Sequence, residues 1–322
     1  MSGARDVASA LEGAGTVVAT SHVNPDGDGV GSLLALYHLL SARGKKVYPC
    51  LPEPHKYPPQ YGFLPGRETL LPPGELPENC DAFVALDCSN LSRLEPLEEL
   101  FRRVSVTVNI DHHEDNARFA ALNYVDAGAS STAELVYRVA EAGSWELDAH
   151  AATCLYAGLV TDTGRFQHRN TTPSAFILAA RLAEAGADVH GVAKEIYESQ
   201  SLAYTRLLGV VLRRAQMHDD LRLVFSFITR ADLEETGATL SETEDLIDYL
   251  RRVKGAGIVA LFKELPDGTV RVSLRSGDGT EVGPIARALG GGGHAMAAGY
   301  TSEKDLEGSV EELMKALRDR HA

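Results

Sequence analysis

Basic charge is what this chain most lacks. Its 322 residues carry 31 Lys and Arg against 45 Asp and Glu, a formal net charge of −14. Long nucleic acid is held largely by Lys and Arg on phosphates, so an extended basic groove is excluded. Any nucleic-acid ligand should be short, its phosphates met by metal ions and a few local cations. Cysteine is also scarce. Cys50, Cys80, Cys88 and Cys154 show no C-x-x-C spacing, so neither a zinc site nor a disulfide framework is indicated, and the thiols are expected to be reduced and mostly buried. No apolar run approaches the roughly 20 residues of a membrane span, and residues 1–15 have no long apolar core. A cytoplasmic protein without membrane contact is expected. Internal repeats, low-complexity tracts and a Walker A lysine are missing as well. What remains, 44% hydrophobic and 24% charged, is ordinary for a globular chain, and the length suits two domains with separate cores.

The richest stretch is Ser-His-Val-Asn-Pro-Asp-Gly-Asp-Gly-Val-Gly-Ser, residues 21–32. An apolar run, Thr16 to Thr20, leads into it and a helical pattern from Leu33 to Leu40 leaves it. Pro25 cannot donate to a sheet, so the strand ends near His22, and the glycines at 27, 29 and 31 let the backbone turn and approach a bound group. His22, Asp26 and Asp28 offer the mixed nitrogen and oxygen ligands that suit a manganese-like cation. A polar βα turn with a capping Asp accounts for the same residues equally well.

Further strands follow the same plan. Val47 to Leu51 reads as the returning strand of a βαβ unit, and the proline-rich 52–77 as loop with short helical pieces. Asp81 to Leu86 delivers Asp87, and Val104 to Ile110 delivers Asp111-His112-His113. Strand after strand thus ends in a carboxylate or imidazole, as a site at the switch point of an open α/β sheet requires. Ser130-Ser131 caps a helix through Ala142. A helix from Asp148 to Val160 leads to Asp162, and Thr172-Pro173 opens another, to about Ala185. Amphipathic helix fills 187–214, where the domain joint is placed. Beyond it come a strand at 222–228, a helix at 242–253, a hairpin of 258–263 with 270–275, a helix at 282–289, the run Gly290 to Gly299, and a closing acidic helix. Flat backbone at Gly291-Gly292-Gly293 can point N–H groups at a phosphate.

His22-x-x-x-Asp26-x-Asp28, Asp87, Asp111-His112-His113, Asp162 and the glycine run ending in His294 together resemble the DHH phosphoesterase superfamily. The run resembles the Gly-Gly-Gly-His-x-x-Ala-Ala-Gly signature of the DHH-associated second domain. The nearest branch is that of nanoRNase and 3′-phosphoadenosine 5′-phosphate phosphatases. The resemblance implies an α/β fold: a catalytic DHH domain over 1–190 with a mostly parallel sheet and helices on both faces, a helical linker over 191–214, and a smaller α/β substrate-binding domain over 215–322. The active site is expected in the cleft between the domains. By the same resemblance His22 and Asp26 hold one Mn2+ and Asp28, His112 and Asp162 a second, with Asp87 bridging and Mg2+ or Co2+ as substitutes. Asp111 is placed behind the ligands to orient an imidazole, His113 as a phosphate contact or proton donor, and Arg275, Gly291, Gly292, Gly293 and His294 as the clamp for a far phosphate or base. Expected substrates are short single-stranded RNA or dinucleotides and 3′-phosphoadenosine 5′-phosphate. A homodimer is allowed.

Asn116 serves either a turn or the substrate, Asp126 is read as a helix cap, and Arg165 could reach the cleft while Phe166 packs. His38, His55, His150, His168, His190 and His218 are assigned no role. The competing functions are a RecJ-type exonuclease, a manganese pyrophosphatase, a linear or cyclic dinucleotide phosphodiesterase and a catalytically dead nucleotide sensor. The acidic balance opposes the first, the glycine run the second, and the complete ligand set the last.

Overall fold

The computed structural model describes residues 2–53 and 57–321, and the chain divides into two compact units, Met1–Ser199 and Gln200–Ala322. The first unit contains α1 (Ala4–Gly13), β1 (Thr16–Ser21), α2 (Gly27–Ser41), β2 (Lys46–Cys50), β3 (Ala82–Leu86), α3 (Glu98–Arg103), β4 (Val106–Asp111) and β5 (Leu122–Val125). Four helices follow, α4 (Thr132–Ala142), α5 (Ala149–Asp162), α6 (Pro173–Glu184) and α7 (Val189–Tyr197). The strands lie in the order β2-β1-β3-β4-β5, all parallel. Runs such as Val17-Val18-Ala19 and Phe83-Val84-Ala85 are apolar throughout because a parallel sheet buries both faces. Val17, Ala19, Val84 and Leu86 face the main core with residues of α1, α2, α4 and α5. Val18, Phe83 and Ala85 face the other way, against Phe101 of α3 and the adjoining Leu94 and Leu97. The order reverses beside β1, so the ends of β1 and β3 open onto a switch point.

Two of the early glycines do something other than expected. Gly27 and Gly31 lie inside α2, where a β-carbon on Gly31 would come within 2.4 Å of Cys154 O and one on Gly27 within 2.5 Å of Thr161 Oγ1. They admit α5, not a ligand. The pairing of 27 with 161 and of 31 with 154 shows that α2 and α5 run antiparallel, nearly backbone to backbone. That contact sets Asp28, in the first turn of α2, near Asp162, the last residue of α5.

The second unit contains α8 (Leu202–Arg214), β6 (Gln216–His218), β7 (Leu223–Ile228), α9 (Arg230–Thr236), α10 (Leu246–Leu250), β8 (Ile258–Glu264) and β9 (Val270–Ser276). It ends with α11 (Gly283–Ala288), β10 (Gly292–Gly293), β11 (Ala297–Ser302) and α12 (Leu306–His321). Its sheet runs β10-β11-β9-β8-β7-β6 and is antiparallel except between β7 and β8. One face packs on α11 and α12, the other on α8 and α10. The single helix expected over 242–253 is interrupted. Glu242 Oε2 accepts from Thr239 N at 2.8 Å and starts a separate 3₁₀ turn, which leaves α10 only five residues long. Cys50, Cys88 and Cys154 are buried, Cys80 is half-buried, and all four are unpaired. Among the described residues no helix is long and apolar enough to cross a membrane.

Candidate functional site

The site is assembled at the carboxyl ends of β1, β3 and β4. His22 follows β1, Asp87 follows β3, Asp111 ends β4 and is trailed by His112 and His113, and α2 and α5 bring Asp26, Asp28 and Asp162. Asp26 is also the N-cap of α2, its Oδ1 accepting from the N–H groups of Asp28 at 3.1 Å and Gly29 at 3.0 Å. Capping and ligation are thus compatible, because the other carboxylate oxygen stays free. Asp87 sits at φ +57°, a left-handed backbone that a non-glycine residue adopts only under constraint.

Ligand atoms of His22, Asp26 and Asp87 lie within 4.8 Å of one another, and those of Asp28, His112 and Asp162 do the same. Asp87 faces both groups. Its Oδ2 is 3.5 Å from His22 Nε2 and its Oδ1 3.7 Å from His112 Nε2. His112 Nε2 is also 3.6 Å from Asp162 Oδ2 and 3.9 Å from Asp28 Oδ2. Such separations are too long for hydrogen bonds, yet they suit ligands arranged around an ion bonded at about 2.0–2.2 Å. The residues present fit two divalent cations in a mixed carboxylate and imidazole setting.

The electrostatics point the same way. Burial, then the charges of Asp87, Asp162 and Asp26, drives the Asp28 carboxyl well above its usual range. Burial raises Asp162 to about 7 against the pull of His112, with the charges of Asp87 and Asp26 adding to the rise. Burial also acts on Asp87, but the imidazole of His22, 3.5 Å away, and then the charges of His113 and His112 outweigh it and hold that carboxyl at about 2. Without a cation, several carboxylates share a space that cannot tolerate all of them ionised.

Long-range contacts fix these side chains. The N–H groups of Thr132 and Ala133, in the first turn of α4, donate to Asp28 Oδ2 at 2.6 Å and Oδ1 at 2.9 Å, while Thr132 Oγ1 donates to Asp87 Oδ1 at 3.0 Å. Asn170 Nδ2 donates to Asp162 Oδ2 at 2.9 Å. Sequence reading missed Thr132 and Asn170, although Ser131, one residue before Thr132, was legible as the cap of α4. It also missed Arg93, whose Nη2 is 2.7 Å from His22 Nδ1. That nitrogen is 2.8 Å from Val23 O as well, and it cannot accept from one and donate to the other together. Donation to Val23 O leaves Nε2 as the lone-pair nitrogen on the Asp87 side, with Arg93 as a nearby cation.

Asp111 is fully buried and turned toward His113, its Oδ1 2.7 Å from His113 Nδ1. This hydrogen bond, offset in part by burial and aided by the charge of Asp87, pushes the imidazole up to about 9. Asn116 sets the other side of Asp111, its Nδ2 lying 2.6 Å from Asp111 Oδ2 and 2.8 Å from Asn109 Oδ1. Asn116 is therefore an internal organiser of the triplet.

In the second unit, Arg275 and Gly291, Gly292 and Gly293 line an open groove of about 700 Å³ with Arg271, Glu244 and residues of β11. His294 is exposed but not among the lining residues. The glycines are not equivalent. A β-carbon on Gly291 would lie 2.1 Å from Gly299 O, and Gly293, at φ +128°, meets Ala298, whereas Gly292 faces open space. Arg271, four residues before Arg275 on the same strand, went unread, as did the buried Lys263, which pairs with Glu244 Oε1 at 2.9 Å and which only the strand register sets opposite Arg271.

Asp126 does not cap a helix. Ser131 caps α4, and Asp126 binds Gly128 N at 2.9 Å and Arg138 Nη1 at 2.8 Å. Arg165 stacks its guanidinium over the Tyr197 ring at 4.5 Å, and Phe166 stacks on Phe176 at 5.1 Å. His55 lies outside the described residues.

Residues 16–159 match the family described as DHH family, N-terminal domain, and residues 220–321 match the DHHA1 domain. The chain is 34% identical to the "Bifunctional oligoribonuclease and PAP phosphatase NrnA" of Thermus thermophilus over 98% of this chain and 92% of that one. It is 29% identical to the protein of the same name from Bacillus subtilis, over 88% of each. A solved structure, an exopolyphosphatase-related protein from Bacteroides fragilis, superposes with a TM-score of 0.89 at 25% identity, covering 98% of this chain and 96% of that one. With two domain matches in order and similarity along nearly its full length, the chain belongs to the DHH family, in the DHHA1-bearing branch that the NrnA proteins represent.

Proposed function

We propose that the protein is a two-metal phosphoesterase that hydrolyses short oligoribonucleotides to mononucleotides and removes the 3′ phosphate from 3′-phosphoadenosine 5′-phosphate. One observation carries this reading: Asp87 faces two ligand groups at once, as a bridging carboxylate in a binuclear phosphoester site does. His22 and Asp26 would hold one ion and Asp28, His112 and Asp162 the other, with Mn2+ preferred and Mg2+ or Co2+ as substitutes. Bound there, the ions supply positive charge to phosphoryl oxygens and lower the pKa of a coordinated water.

The chain's own groups supply the remainder. His113 keeps its proton at neutral pH because Asp111 accepts from it, so it can contact a phosphate or donate to the departing oxygen. Thr132 and Ala133 hold Asp28 in place, and Asn116 does so for Asp111. In the second unit Arg275 and the backbone around Gly292 would take a phosphate or base of the substrate, with His294 assisting.

The test is an activity panel on metal-stripped protein given Mn2+, Mg2+ or Co2+. Its substrates are RNA from dimer to 24-mer, 3′-phosphoadenosine 5′-phosphate and cyclic dinucleotides. Mononucleotide release with kcat/KM highest at about two to five nucleotides is expected, because a longer strand meets an acidic surface that repels each added phosphate. A flat or rising profile with length would overturn the short-substrate reading, and no turnover with any ion would overturn the enzyme.

A further inference from the structure

The helix pair that carries Asp28 and Asp162 at one end bears a second group of metal-binding side chains at the other. His38 lies in the last turn of α2, Asp148 is the N-cap of α5, and His150 lies in the first turn of α5. One ligand atom from each lies within 4.8 Å of the other two, and the imidazole centroids are 5.3 Å apart. None of the three touches the catalytic groups. Ten residues of helix separate Asp28 from His38, about 15 Å at 1.5 Å per residue.

The surroundings prepare these side chains for ligation. His38 Nε2 is 3.0 Å from the Pro65 carbonyl, a contact that only the Nε2–H tautomer makes, so Nδ1 keeps its lone pair. Gly66 permits this approach. It sits at φ +85°, and a β-carbon there would be 2.8 Å from His38 Nε2. Asp148 Oδ1 accepts from Ala151 N at 2.8 Å, which orients the carboxylate and leaves Oδ2 available. An imidazole donating its second N–H to a carbonyl, and a carboxylate held by an outer hydrogen bond, are the supports that metal ligands ordinarily have.

We propose that His38, Asp148 and His150 form a third metal site, selective for zinc-class transition ions, that clamps the far ends of α2 and α5 together. Two imidazoles with one carboxylate favour such ions over Mg2+ or Ca2+, and three protein ligands leave a position for water. Because the same helices carry catalytic ligands at their opposite ends, zinc here would stiffen the scaffold without entering the reaction.

The experiment counts zinc on the full-length protein by equilibrium dialysis and metal analysis, with thermal melting and Co2+ absorption alongside. Asp87→Ala, intended to empty the catalytic centre, should still bind one equivalent saturably and melt higher with zinc. In that background His150→Gln and, separately, His38→Gln should weaken zinc binding by about 10²-fold and abolish the thermal shift, since loss of even an outer-shell partner costs 10- to 100-fold. In the otherwise wild-type chain, His150→Gln should leave Mn2+-dependent turnover unchanged. His150 is exposed, so that variant should fold, and circular dichroism checks it. Unchanged zinc affinity in both Gln variants, or only weak non-saturating uptake in Asp87→Ala, would overturn the site and leave surface histidines as the binders.

Discussion

The two sheets handle charge in opposite ways. At the ends of β1, β3 and β4 the first unit concentrates carboxylates, buries most of them and clamps four of them: Thr132, distant in sequence, on Asp28 and Asp87, and the nearer Asn170 on Asp162 and Asn116 on Asp111. In the second unit cationic side chains and glycine backbone line one groove, and two of the three central glycines are required by the strands behind them. The contrast separates a rigid centre, where removal of a side chain should damage chemistry, from a surface where it should damage binding.

The largest effect should come from Asp87→Ala, which removes the carboxylate that both ligand groups share. We expect turnover to vanish and metal analysis to show loss at both positions, whereas Asp26→Ala should empty mainly one. Two ions retained in Asp87→Ala would remove the bridging role. His113→Ala should come next, with kcat reduced by 10² to 10⁴, about the scale of general acid catalysis. Asp111→Asn serves as its control. It replaces the charged acceptor facing His113 with a neutral amide, so the imidazolium is favoured less, the proton is lost at lower pH and the alkaline limb of the kcat profile should move down. An unshifted limb would mean that Asp111 does not act through His113.

In the second unit the effects should be smaller and fall on KM. Arg275→Ala should raise KM roughly 10- to 100-fold, as loss of a charge-assisted hydrogen bond does. The glycines sharpen the point. Gly292→Ala adds a methyl to open space and should leave stability unchanged while weakening binding. Gly291→Ala forces a β-carbon against Gly299 O and should destabilise by about 1–3 kcal/mol, the usual cost of overpacking. Equal melting temperatures for the two variants would show that the hairpin gives way easily.

Much of this was legible because the candidate ligands sit in short local patterns at strand ends, where an apolar run followed by Asp or His announces both the strand and the grouping. Asp26 could be read as a cap and as a ligand, and it is placed for both. What escaped depends on contacts, some between distant helices and some across a local loop, that leave no periodic pattern. Nothing in the spacing of Gly27 and Gly31 shows that they make room for α5, nor that Asn170 reaches Asp162. The two-residue strand β10 is held by backbone pairing, which leaves no side-chain signature. The helix expected at 242–253 failed because the reach of Glu242 back to Thr239 favours a turn that the apolar spacing does not reveal.

The smallest effect concerns pH, and it tests whether the crowding of carboxylates in the first unit is real. Asp162 is raised to about 7 in the folded, metal-free protein, against an ordinary value near 3.8. The folded state then binds more protons than the unfolded one between those values, so its stability falls as pH rises from about 4 to about 7. Asp28, raised for the same reason, adds to the slope. His113 is displaced upward to about 9, so the stability it contributes is complete below about 6.5 and is lost as pH climbs to 9. Asp87, held at about 2, works in the other direction but only below about pH 4. A bound cation requires the carboxylate forms and displaces their protons, so its stabilisation should grow with pH over the range where the metal-free protein weakens. Melting curves in chelator and in Mn2+ at pH 5, 6, 7 and 8 should diverge steadily, the gap widening by a few kcal/mol at most. That corresponds to about 2–4 °C per kcal/mol for a unit of this size. A constant gap across the series would mean that the carboxylates are already ionised without metal, and that the contrast between the units is one of composition rather than of stored repulsion.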